Sequence, residues 1–175
     1  SWTPAVGLSS GPQGNVFPVE SLHMYNKHEM KFIVWRTFLM NTLYVRHYLP
    51  AADSGASCEA CGRTSEFLQS MVRDLSPKLA NLNIRLVLQN LEMHQVTEAN
   101  CGKLNYVSFF APEMGLSDER SLETILGAPV SFEDCEGCSL PDGKPFPART
   151  LTVDGHQFQA IPPGMLTDAL IRVVV

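Results

Sequence analysis

Residues 43–93 read LYVRHYLPAADSGASCEACGRTSEFLQSMVRDLSPKLANLNIRLVLQNLEM, and three segments of this stretch decide the fold. Leu43-Tyr44-Val45-Arg46-His47-Tyr48-Leu49 has the β-branched and aromatic content of a strand and is stopped by Pro50. A small-residue loop, Ala51–Ser57, leads into Cys58-Glu59-Ala60-Cys61. Phe67, Leu68, Met71, Val72, Leu75 and Leu79 then recur at helical spacing, which gives a helix with one buried face. Pro77 is expected to kink or end it. Asn83–Met93 alternates apolar and polar residues like a half-buried strand. Strand, CxxC, helix, strand is a βαβ unit.

A CxxC that opens a helix after a strand has a definite chemical consequence. The first sulfur lies near the unpaired N–H groups and positive end of the helix dipole, which favours thiolate over thiol. Cys58 is therefore the expected attacking thiol and Cys61 the more buried resolving one. Glu59, between them, adds a negative charge that works against the thiolate. A second pair, Cys135-Glu136-Gly137-Cys138, lies in a stretch rich in Gly and Pro that reads as a loop. It is either a second redox pair, fit for a relay with the first, or a structural pair. The four thiolates Cys58, Cys61, Cys135 and Cys138 also form the ligand set of a structural zinc or an iron–sulfur cluster. The gap between the pairs far exceeds the roughly 15–20 residues of a compact zinc ribbon, so only the fold can bring them together. Cys101 reads as a lone thiol.

Outward from this centre, Tyr106–Phe110 is a short strand, followed by a polar insertion at 111–120. Ser121 caps a short helix through Ile125 and Leu126, ended by Gly127. Arg149–Val153 and His156–Ala160 flank Asp154-Gly155, the pattern of a tight hairpin. Pro162-Pro163 precede a closing helix over 165–175. The five His share no metal or catalytic spacing and are expected at the surface or at strand edges.

The segment SCEACGRTSEFLQSMVRDLSPKLANLNIRLVLQNLEM, with LETILGAPV, CEGC and ARTLTVDGHQFQAIPPGMLTDAL after it, resembles a family of small bacterial and archaeal thioredoxin-like proteins with two CxxC pairs. The resemblance covers about residues 42–173. It implies a thioredoxin-like α/β fold with a central mixed sheet flanked by helices, and it assigns no activity. Two departures from thioredoxin-like enzymes are visible: no Pro immediately precedes the strand at Tyr106, and Glu59-Ala60 stands between the first cysteines.

Residues 1–41 form an extension ahead of the 42–175 domain. Ser1–Val19 carries no charge and is broken by three Gly and three Pro, so alone it lacks the burial to offset its ordering entropy. It reads as a docking arm for a protein partner, with Trp2, Val6, Leu8 and Phe17 as anchors. A weak helical pattern runs through Phe32, Trp35 and Leu39.

With 175 residues, 45% hydrophobic and 18% charged, the composition is that of a globular chain. The net charge of -5 and the scattered Lys and Arg exclude the basic stripe of a nucleic-acid binder. No apolar run approaches the roughly 20 residues of a membrane span. Five Cys do not make a secreted disulfide scaffold. No basic segment precedes an apolar one as in a signal peptide, so the compartment stays open, a chloroplast or mitochondrion after transit-peptide removal included. Three functions fit. The first is a thiol–disulfide oxidoreductase that needs no cofactor. The second is a non-catalytic accessory subunit of a larger assembly, peripheral to an organellar photosynthetic or respiratory membrane complex. The third is a fold stabilised by zinc or an iron–sulfur cluster.

Overall fold

The computed structural model describes residues 40–175. The proposed anchors Trp2, Val6, Leu8 and Phe17, and the helical pattern before Met40, lie outside the described residues. In chain order the elements are β1 (Asn41–Pro50), β2 (Ser57–Cys58), α1 (Glu59–Ala80), β3 (Ile84–Met93), β4 (Val107–Ala111), β5 (Leu116–Ser121), α2 (Leu122–Leu126), β6 (Val130–Glu133), β7 (Cys138–Ser139), β8 (Ala148–Val153), β9 (His156–Phe158) and α3 (Pro163–Val174).

The main sheet has the order β3-β1-β4-β5. β1 and β3 run parallel from Asn41↔Ile84 to Pro50↔Met93, and parallel neighbours need a crossover, which α1 supplies. β4 pairs antiparallel with β1, and β5 with β4. The sheet is therefore mixed and flanked by helices, as the sequence predicts. Leu43 and Val45 of β1, Ile84 and Leu86 of β3, and Val107 and Phe109 of β4 share one apolar core with Leu68 and Met71 of α1, Leu122 of α2, and Leu166, Ala169 and Leu170 of α3.

Several local readings hold. Ser121 caps α2, its hydroxyl accepting the Thr124 N–H at 3.3 Å, and Gly127 closes that helix with φ 67°. Asp154 and Gly155 take φ values of 50° and 77°, the backbone that joins β8 to β9 in a tight turn. Others are corrected. Pro77 does not end α1, which runs on to Ala80, because Pro removes a single amide bond close to a helix end, where long-range packing of Leu79 in the core outweighs it. The polar stretch at 111–120 carries more structure than its polarity suggests. It turns at Gly115, φ 81°, and returns as the edge strand β5, whose polar residues suit a solvent-facing edge. The second cysteine pair is likewise not confined to a loop, since Cys138 opens β7. β6, with exposed Phe132, was hidden by its short length and pairs with β8.

Candidate functional site

The first cysteine pair forms where β2 ends and α1 begins. Cys58 is the N-cap of α1, with φ -154° and ψ 95°, and its sulfur accepts the Cys61 N–H at 3.2 Å. One of the helix's orphan donors is thus aimed at Cys58 Sγ, the group the dipole argument needs. Cys58 is half-buried and Cys61 almost wholly buried. Glu59, the acidic neighbour, is held by Arg63 one turn on, in an ion pair at the surface, which offsets the charge that opposes a thiolate.

Cys58–Cys61 and Cys135–Cys138 are each joined as a disulfide, with Cα atoms 5.3 Å apart in both. The two pairs meet. β2 and β7 form a short antiparallel ladder that sets Ser57 opposite Ser139 and Cys58 opposite Cys138. The serine hydroxyls hydrogen-bond at 2.9 Å, and the Gly137 carbonyl accepts from both the Glu59 N–H and the Ser57 hydroxyl, each at 3.2 Å. Cys61, Cys138 and the free, buried Cys101 share a second apolar cluster with Val96, Leu104, Leu140, Phe146 and Ala148, against which Cys58 and Cys135 pack.

Gly137 makes this approach feasible. A Cβ there would stand 2.7 Å from the Glu59 Cβ, closer than two carbon atoms tolerate. The Gly inside CEGC is the sequence signal for such close backbone contact, and reading the segment as a loop conceals it.

A cleft of about 290 Å³ opens beside the second pair, lined among others by Glu59, Arg63, Asp134, Cys135, Glu136 and Gln159. A polar chain runs from it into the interior. Gln159 donates to the Asp134 carbonyl at 2.7 Å, and its own carbonyl accepts from the Asn105 amide. Asn105 Oδ1 then faces His47 Nε2 at 3.0 Å. Because the Asn105 amide nitrogen is committed to Gln159, its oxygen is the acceptor, so His47 carries its proton on Nε2. His47 Nδ1 is buried with no partner. This corrects the expectation for His47, which is 0% exposed rather than at an edge. Burial lowers its pKa, and the Asn105 bond only partly offsets that. Its position on β1, where Leu43 and Val45 also face the core, is the signal that was there to be read. His94 and His156 are exposed, as expected.

Next to α1, the Ile161 N–H donates to Thr64 Oγ1 at 3.0 Å, both residues being buried. This bond ties the segment before α3 to the first turns of α1. Among the described residues no group of three or more His, Cys, Asp or Glu is arranged around a metal position, and no helix is long and apolar enough to cross a membrane.

Fold and site together define a mixed α/β protein in which two CxxC disulfides are joined back to back by a two-residue ladder. The chain belongs to the family described as a domain of unknown function, DUF2703, which it matches over residues 44–170. That span covers nearly all of the stretch carrying the two-CxxC resemblance, and it names neither a fold nor an activity. No curated protein and no solved structure matches the chain.

Proposed function

We propose that the protein is a thiol–disulfide oxidoreductase of thioredoxin-like architecture. The observation that carries this reading is Cys58 as N-cap of α1, its sulfur receiving the Cys61 N–H, with Cys61 buried behind it. In the reduced form a Cys58 thiolate attacks one sulfur of a substrate disulfide and expels the other as a thiolate, which takes up a proton. Cys61, deprotonated, then attacks Cys58 Sγ, closes Cys58–Cys61 and releases the second substrate thiolate. Once this second thiolate is also protonated, the substrate has gained two electrons and two protons, and the pair has lost two electrons, the Cys61 proton and the proton Cys58 gave up on ionising. No cofactor enters these steps. A shared four-thiolate zinc or iron–sulfur site at Cys58, Cys61, Cys135 and Cys138 is the competing reading. Pairing of each CxxC within itself supports redox use over it.

The test is turnover of a small disulfide substrate with dithiothreitol as reductant. Cys58→Ser is expected to abolish turnover, and Cys61→Ser to accumulate a mixed disulfide between substrate and Cys58. Full activity in Cys58→Ser overturns the reading. Metal retained by the protein after reduction and gel filtration favours the four-thiolate alternative.

A further inference from the structure

Resting on that redox reading, the second cysteine pair acquires a role from three observations. Cys58 and Cys138 face each other across the β2–β7 ladder. The Glu59 N–H donates to the Gly137 carbonyl, beside this pair rather than within it. The Cys138 N–H goes to the Cys135 carbonyl at 3.2 Å, and the Cys138 carbonyl accepts from Phe146 at 3.3 Å. Cys58 and Cys138 are therefore a non-hydrogen-bonded pair, whose side chains project to one face with Cα atoms about 4.5 Å apart. A disulfide spans roughly 4.4–6.8 Å between Cα atoms. Next, each CxxC has one buried cysteine, Cys61 or Cys138, and one half-buried, Cys58 or Cys135. Last, Cys135 lines the cleft with Asp134, Gln159 and Arg63, and neither Cys58 nor Cys61 does.

We propose that the protein is a two-pair electron relay, in which Cys135 exchanges with an external dithiol seated in the cleft and a transient Cys58–Cys138 disulfide connects the two pairs. One thiolate of the external dithiol attacks Cys135 Sγ, the Cys135–Cys138 bond breaks, and Cys138 leaves as a thiolate. The second external thiolate attacks the first external sulfur, closes an external disulfide and releases Cys135 as a thiolate. The Cys138 thiolate then attacks Cys58 Sγ. The Cys58–Cys61 bond breaks and Cys61 leaves, taking a proton. The Cys135 thiolate attacks Cys138 Sγ, restores Cys135–Cys138 and frees Cys58 at the N-terminus of α1. The external dithiol has lost two electrons and two protons, the protons passing to water; Cys58 and Cys61 have gained the two electrons, with Cys61 a thiol protonated from water and Cys58 a thiolate. The reduced first pair then serves the substrate disulfide.

The experiment uses Cys135→Ser in the full chain, which removes the thiol that would resolve the intermediate. Cys138 then faces an intact Cys58–Cys61 disulfide. Alkylation of the folded protein followed by peptide mass spectrometry is expected to find a Cys58–Cys138 bond and the free thiol at Cys61. An intact Cys58–Cys61 bond with the free thiol at Cys138 overturns the relay. A second variant, Cys61→Ser/Cys135→Ser, oxidised with glutathione disulfide, is expected to give the Cys58–Cys138 bond and release two glutathione thiols per chain. Separate glutathione adducts on Cys58 and Cys138 in a protein with native circular dichroism also overturn it. Neither readout depends on turnover, so the relay fails separately from the redox reading: a Cys135→Ser/Cys138→Ser variant with full dithiothreitol-driven turnover would leave a single-pair oxidoreductase.

Discussion

His47 and Asn105 show how much one polar contact governs when it lies beneath a site. His47 is buried with its pKa lowered, so folding favours the neutral ring. Above the unfolded value of about 6.5 both states are neutral and the contribution to stability is fully present. As pH falls below that value the unfolded chain binds the proton first, and stability is lost until the depressed folded pKa is passed. The urea midpoint of the wild type is thus expected to fall between about pH 7 and pH 5 more steeply than that of His47→Gln, which does not titrate there; parallel slopes would remove His47 as the cause. Asn105 adopts φ 58°, a left-handed backbone that Asn tolerates, and serves both His47 and the Gln159 carbonyl. Asn105→Ala strains that backbone and strands the buried His47 ring and the half-buried Gln159 carbonyl, so a loss of about 2–4 kcal/mol is expected in equilibrium unfolding. Asn105→Gly, which relieves the backbone alone, should recover part of it. Thr64→Val strands the Ile161 N–H and is expected to cost about 1–3 kcal/mol.

At the scale of elements, the ladder of β2 with β7 is two residues long, too short to persist on its own. The tight seating of Gly137 on the start of α1 is what holds it. Gly137→Ala sets a methyl group into the Glu59 Cβ, and that atom is fixed to the helix backbone rather than lying at the end of a flexible chain. The variant is expected to lose about 1–3 kcal/mol of stability. In Cys61→Ser/Cys135→Ser it should also slow formation of the Cys58–Cys138 bond; an unchanged rate would mean that the ladder survives without close approach. Legibility at this scale followed the range of the causes. Asp154-Gly155 and the Ser121 cap are set by their own few residues, and they stand where the sequence predicts. Pro77 shows the converse, a local breaker overruled by the core packing of Leu79.

Across the whole molecule, the two kinds of disulfide differ in the length of chain they close. Each native pair joins cysteines only 3 apart in sequence, for which the chain-entropy account gives about 2 kcal/mol apiece. A Cys58–Cys138 bond would close a loop containing α1, β3, β4, β5, α2 and β6, for which the same account gives about 4–5 kcal/mol. Oxidising Cys61→Ser/Cys135→Ser is accordingly expected to raise its unfolding free energy by more than oxidising either native pair alone. Denaturant titration of the oxidised and reduced forms measures this, and an equal gain would argue for a local bond instead.

The sequence by itself determined the βαβ unit, because β1, α1 and β3 carry periodic apolar faces that hardly fit another arrangement, and it determined Cys58 as the residue at the helix start, because strand, loop and CxxC follow one another without a gap. It pointed to four cysteines but left open whether they meet. That was decided by tertiary structure alone. The cysteine pairs are separated by most of the domain, and their approach depends on the β2–β7 ladder, on a missing Cβ at Gly137 and on Leu140 and Phe146 packed beneath them. Long-range packing likewise took His47 into the core, since a strand pattern states which face a side chain shares and not how deeply that face is covered.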